Sequence, residues 1–137
     1  MQRSKPFLLA VLPLVTFLTA VGCTPAGPPT TPVEGTVSLD GTPLTNGYVM
    51  FRDKSGDKPS AAGQIADGKY QVDVQPGQKT VEITSTRDVP GKFDMSNPGQ
   101  KVQLTEQFVP SQYNTETTLT TEIGDEPLTL NYDLKSS

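Results

Sequence analysis

From Val33 onward the chain alternates short apolar runs with clusters of Gly, Pro, Asn and Asp, the period-two pattern of half-buried strands. No segment past this point has the apolar repeat of an amphipathic helix. Val33, Val37 and Leu39 share one face of a first strand, which Asp40-Gly41 ends. The pair Asn46-Gly47 reads as a turn, and residues 48–52 form the next strand, with Val49 and Phe51 on one face and Tyr48 and Met50 on the other. A short segment at 62–65 precedes Asp67-Gly68, after which Tyr70, Val72 and Val74 alternate with Lys69, Gln71 and Asp73, as in a hairpin. Gln75-Pro76-Gly77-Gln78 is a turn, since Pro presets φ and Gly tolerates a positive one, and Val81 and Ile83 mark the strand that follows.

Residues 86–100 contain Pro90-Gly91 and Asn97-Pro98-Gly99, which predicts a long loop. The pattern resumes at Val102 and Leu104, passes through Phe108-Val109-Pro110, and closes with strands over 117–123 and 128–134 around a turn at Gly124-Asp125. The expected architecture is an all-β sandwich of about seven to eight strands in one domain, residues 33–137.

The first residues follow a different pattern. Basic Arg3 and Lys5 precede an uncharged apolar stretch at 7–18 and small residues at Ala20 and Gly22, the order of a secretory signal. That stretch falls short of the roughly 20 apolar residues a membrane-spanning helix needs, and Pro6 and Pro13 weaken such a helix further. Thr19-Ala20-Val21-Gly22-Cys23 resembles the lipobox of bacterial lipoproteins, in which a Cys receives diacylglycerol and becomes the first residue after cleavage. Gly22 and Cys23 carry the match; Ala20 departs from the Leu usual three residues before the Cys. The resemblance implies a signal peptide at 1–22, lipidation of Cys23 and attachment to a membrane through acyl chains, each buried methylene of which contributes about 0.8 kcal/mol. It places the protein in the cell envelope, facing the periplasm or the cell surface. Residues 23–32, with prolines at 25, 28, 29 and 32, then read as an extended tether.

Composition narrows the chemistry. Of 137 residues, 11 are Lys or Arg and 15 are Asp or Glu; with Arg3 and Lys5 in the signal, the mature part is more acidic than the whole. An acidic chain without a basic cluster does not suit nucleic acid, whose binding depends on neutralising phosphates. The complete absence of His removes the commonest general base and metal ligand, and the single Cys has no disulfide partner within the chain.

Several motifs in the strand region resemble the carboxypeptidase regulatory-like domain. They are Gly35-Thr36-Val37, Asp40-Gly41-Thr42-Pro43-Leu44, Gly47-Tyr48-Val49-Met50-Phe51, Gly68-Lys69-Tyr70 and Pro76-Gly77. The stretch Phe108-Val109-Pro110-Ser111-Gln112-Tyr113-Asn114, with the closing segment at 128–134, looks like the Pro-x-x-Tyr corner and last strand of small bacterial lipoproteins built on that domain. The resemblance implies a transthyretin-like (prealbumin-like) Greek-key sandwich. Its motifs specify turns and strand ends, so they inform fold more than function. The family's hydrolases on hydroxyisourate depend on His, its starch-binding relatives stack sugars on Trp, and this chain has neither. Pilin-type relatives join a first-strand Lys to an Asn; Asn131 is present here but the first strand has no Lys.

No catalytic constellation emerges. Asp40, Asp53, Asp57 and Asp67 occupy turn-like segments, but 53–58 lacks the spacing of a calcium loop, and turn Asp is commoner than ligand Asp. Ser96 has no neighbouring base at the spacing of a nucleophile motif. Neither metal nor cofactor is expected. Phe93 and Met95, in the 86–100 segment, are the candidate exposed contacts. Tyr113 is a third candidate, although a corner Tyr more often packs its ring and bonds its hydroxyl to backbone. The expectation is a non-enzymatic, lipid-anchored envelope module with a binding or structural role, its partner an envelope protein or glycan. The alternative is a carbohydrate- or peptide-binding module that uses the 86–100 loop.

Overall fold

The computed structural model describes residues 26–137; the 1–22 signal and Cys23 lie outside the described residues. The protein is all-β, a β-sandwich of curled and mainly antiparallel sheets. Its strands are β1 (Thr31–Leu39), β2 (Thr42–Pro43), β3 (Asn46–Asp53), β4 (Ala61–Ala66), β5 (Lys69–Val74), β6 (Gly77–Thr84), β7 (Thr86–Asp94), β8 (Val102–Gln107), β9 (Thr120–Ile123), β10 (Leu128–Thr129) and β11 (Tyr132–Leu134), with one 3₁₀ turn at Ser111–Tyr113. The main sheet runs β10-β1-β5-β4-β3-β6-β9, and β2 and β11 pair with the far end of β1. β7 and β8 form a separate two-stranded sheet.

The alternation seen in sequence sets the inward face. Val33, Val37, Val49, Phe51, Ile65, Tyr70, Val74, Val81 and Ile83 are buried, and Leu44, Val109, Ile123 and Leu134 complete the core. Two Asp-Gly pairs make the tight hairpins. Asp40 and Gly41 (φ 51° and 83°) join β1 to β2, and Asp67 and Gly68 (φ 51° and 75°) join β4 to β5, positive at both positions as a primed turn requires.

Several sequence expectations change. β1 begins at Thr31, two residues before the start expected at Val33: Thr31 is buried there, its hydroxyl donates to the Gly124 carbonyl and its backbone pairs opposite Val74. Pro32 is tolerated because β10 begins alongside β1 only at Val33, leaving one side of the strand unpaired there. Asn46-Gly47 is not a turn but the start of β3, opposite Ala66 and Ile65. Gly47 is needed for close approach: at φ 132°, a Cβ there would lie 2.2 Å from the Thr84 carbonyl oxygen of β6.

The largest revision concerns 86–100. It is not a loop; most of it is β7, paired with β8 in a hairpin arm whose connection spans 95–101. Pro90-Gly91 falls within a register shift between Asp88 and Phe93, so the breaker pair makes a bulge instead of ending the strand. Gln103 fills the bulge, its amide donating to the carbonyls of Val89 (2.7 Å) and Lys92 (3.0 Å).

The closing strands are also shorter than expected. The 117–123 segment pairs only over Thr120–Ile123, and 128–134 divides into β10 and β11, both parallel to β1. Between them the Leu130 carbonyl crosses Gly35 so closely that a Cβ would lie 1.8 Å from its oxygen. Asn131 bridges the break, its Oδ1 accepting from the Thr36 amide and hydroxyl, both at 3.0 Å. The count of seven to eight strands thus becomes eleven segments among the described residues, several of them short.

Candidate ligand-binding surfaces

The arm leaves the body at a clamped base. Ser85 is buried; its hydroxyl donates to the Asn46 carbonyl (2.7 Å), and its amide donates to the Gln107 side chain (3.1 Å). Phe108 N–H returns a bond to the Ser85 carbonyl at 3.2 Å, closing the two strands at their root. Beyond that root the arm is held mainly by its own pairing, an Arg87–Glu106 ion pair of 2.8 Å and the Arg87 guanidinium over the Phe108 ring. Phe93, Met95, Val102 and Leu104, four of the five large exposed hydrophobic side chains among the described residues, sit on it. Lys101 lies over the Phe93 ring, 3.8 Å from its centroid.

Tyr113 is elsewhere, in the 3₁₀ turn against the core. Its hydroxyl accepts the Lys135 N–H at 3.0 Å, and the neighbouring Asn114 amide donates to the carbonyls of Val109 and Pro110. The corner therefore fastens the C-terminal segment, and Tyr113 does not join Phe93 and Met95 in one site.

A second surface, which sequence reasoning missed, is the solvent side of the main sheet. A groove of about 630 Å³ lies across β1, β4, β5 and the β10–β11 junction, lined by Glu34, Thr36, Gln64, Lys69, Gln71, Thr129 and Asn131, with Gly35, Ala66 and Tyr70. That volume falls in the ordinary range of small-molecule sites. A smaller depression containing Tyr48, Asn46 and Thr84 shares Gln64 with it. Register explains the assembly: Glu34 stands opposite Gln71 on one side and Thr129 on the other, and Tyr48 stands opposite Gln64 and Thr84. In sequence these are only the polar halves of alternating strands, and nothing marks which of them pairing will align.

The turn aspartates serve structure. Asp40 and Asp67 occupy the hairpin turns, and Asp40 accepts the Ser136 amide; the Ser136 hydroxyl, and then that amide, hold its carboxyl below its usual range. Asp53 accepts from Lys79 Nζ at 2.7 Å and from the Ser55 hydroxyl at 2.5 Å. The side chains of Lys79 and Asp53 are only 1% and 5% exposed. The Lys79 bond, then that of Ser55, holds the Asp53 carboxyl well below the usual carboxylate range. Among the described residues there is no group of three or more His, Cys, Asp or Glu side chains placed to hold a metal ion.

No family model matches the chain, and no curated protein matches it. Among solved structures, the chain is similar to a DUF3823 family protein from Parabacteroides merdae, with a TM-score of 0.41 and 14% identity, covering 78% of this chain and 46% of that one. It is also similar to a 9R-lipoxygenase from Cyanothece PCC8801, with a TM-score of 0.36 and 16% identity, covering 77% of this chain and 16% of that one. The chain thus spans less than half the length of either protein.

Proposed function

We propose that this chain is a lipid-anchored, non-catalytic module of the cell envelope, a transthyretin-like Greek-key sandwich held to a membrane through Cys23, with a binding or structural role. The observation that carries the reading is the placement of the two ends of the sheet. Thr31 opposite Val74, Gly77 opposite Ile123, and the Thr31–Gly124 bond put the entry of the chain at one end. Asn46 opposite Ala66, and the clamp at Ser85, put the root of the arm at the other. An anchor just before Thr31 would hold the entry end towards the membrane and present the arm away from it.

Mass spectrometry of the N-terminus from membrane fractions tests the anchor. A diacylglyceryl-modified Cys23 at the first position is expected, with loss of membrane association in Cys23→Ala. An unmodified Cys23, or cleavage elsewhere, would overturn it.

A second reading is favoured by the apolar side chains of the arm: glycan or peptide binding through β7 and β8. The β8 edge, with no Pro, Gly or bulge, is the one able to accept an added strand. Capture of envelope partners in intact cells, lost on replacing Phe93 and Leu104 with Ser, would support it.

A further inference from the structure

We propose that the groove across β1, β4 and β5 is a binding site for a neutral oligosaccharide, with Tyr48 as its stacking residue. The argument begins with unused hydrogen-bonding capacity. Among the described residues, the side chains of Glu34, Gln64, Lys69, Gln71 and Thr129 make no hydrogen bond or ion pair with the protein. Asn131 is committed only through its Oδ1, so its amide nitrogen keeps both protons for a ligand. Amide, hydroxyl and carboxylate groups offer donors and acceptors side by side, which is what a ring of sugar hydroxyls presents in return.

Charge and shape exclude other ligand classes. One Glu and one Lys leave the lining without net charge, unsuited to a phosphate or a polyanion. The lining offers no large aliphatic side chain for a lipid tail. β5 is paired with β1 on one side and β4 on the other, so the middle of the groove, at Gln71 and Lys69, exposes no strand edge to which a peptide could add. Neighbouring strands stand about 4.8 Å apart, a spacing comparable to one pyranose ring. Successive sugars crossing the strands would each meet a new set of polar side chains.

Tyr48 supplies what the groove itself lacks. It is 53% exposed, its ring uncovered in the depression that shares Gln64 with the groove. An exposed aromatic face takes the apolar C–H side of a sugar while its hydroxyl stays wet. A linear glycan stacked on Tyr48 and running over Gln64 and Gln71 to Glu34 and Asn131 would use both surfaces. The site meets the arm only at its root, where Ser85 and Thr86 line the Tyr48 depression.

The test uses the full chain in detergent, titrated with hexamers of β-1,4-linked N-acetylglucosamine and of β-1,4-linked glucose and followed by calorimetry. Saturable binding of at least one hexamer is expected, with a Kd of about 1 mM or tighter. Tyr48→Ala combined with Gln64→Ala and Gln71→Ala should weaken it by about tenfold or more, with an unchanged thermal midpoint showing that the fold is intact. Phe93→Ala should bind as the parent does. The proposal is overturned by no saturable binding of either hexamer up to about 10 mM, by undiminished binding in the triple variant, or by tighter binding of a hexamer of galacturonate, an acidic sugar.

Discussion

Tyr70 and Tyr132 lie with ring centroids 6.4 Å apart, yet only one of the two hydroxyls has a partner. Tyr70 donates to the Leu130 carbonyl at 2.9 Å, whereas the Tyr132 hydroxyl is buried without a hydrogen bond. Removing each hydroxyl should therefore have opposite effects. Tyr70→Phe strips the Leu130 carbonyl of a donor and should cost about 1 kcal/mol, and Tyr132→Phe should stabilise by about 1 kcal/mol, read as shifts in a urea midpoint.

The same pair sets an alkaline limit. Burial, and then the nearby Tyr132, raises Tyr70 above its ordinary value; burial pushes Tyr132 up to about 12. An acid whose pKa is raised by folding ionises first in the unfolded chain. The stability it contributes is present below about 10, the unfolded value, and is lost as pH rises towards 12. Urea midpoints measured across this window should fall with pH, and less steeply in Tyr132→Phe.

At the acid end the control passes to Asp53. Its carboxyl is held low by Lys79, so the stabilisation is full above about pH 4, the unfolded carboxylate range, and is lost as pH falls through the lower folded value. Asp53→Asn should flatten the acid limb of the stability profile. It should also destabilise at neutral pH, because it strands a Lys79 ammonium that is 1% exposed. A double-mutant cycle with Lys79→Met and Asp53→Leu should show strong coupling, with the double variant more stable than Asp53→Leu alone.

These groups divide by how visible they were in the sequence. Alternation gave the inward faces of β1, β3, β5 and β6, since burial on one face of a strand imposes a period of two. The Asp-Gly hairpins were visible because positive φ at consecutive positions demands those residue types. Lys79 was invisible as a core residue: Val81 and Ile83 on the same face predict an apolar side chain, and only the return of Asp53 from β3 makes a Lys tolerable there. Pro90-Gly91 read as a strand terminator because nothing local shows that Gln103 will satisfy the carbonyls of a bulge. The groove was hidden for a related reason, since strand pairing rather than spacing along the chain aligns Glu34, Gln71 and Thr129.

Gly35 offers a sharp test of the C-terminal closure. Gly35→Ala drives a methyl group into the Leu130 carbonyl, which is backbone and has little room to move. A loss of about 3 kcal/mol or more is expected by chemical denaturation. Gly91→Ala, with nothing within 4 Å of the added carbon but a φ of 72°, should cost far less.

On the arm, Leu104→Ser and Phe93→Ser should change stability by no more than about 0.5 kcal/mol, because neither side chain is buried. A cooperative loss of the whole fold in either variant would show that the arm supports the body. Gln103→Ala should loosen the bulge locally, read as faster amide exchange along β7 with little change in the body.

The parallel seating of β10 and β11 on β1 also dictates when the protein can finish folding. Thr31 meets Gly124 across 93 positions, and Ser38 meets Asp133 across 95. A chain emerging N-terminus first has to wait for β10 and β11 to emerge before β1 is closed on both sides. Until then that strand is an open edge, and the sandwich remains in a threadable, unfinished state.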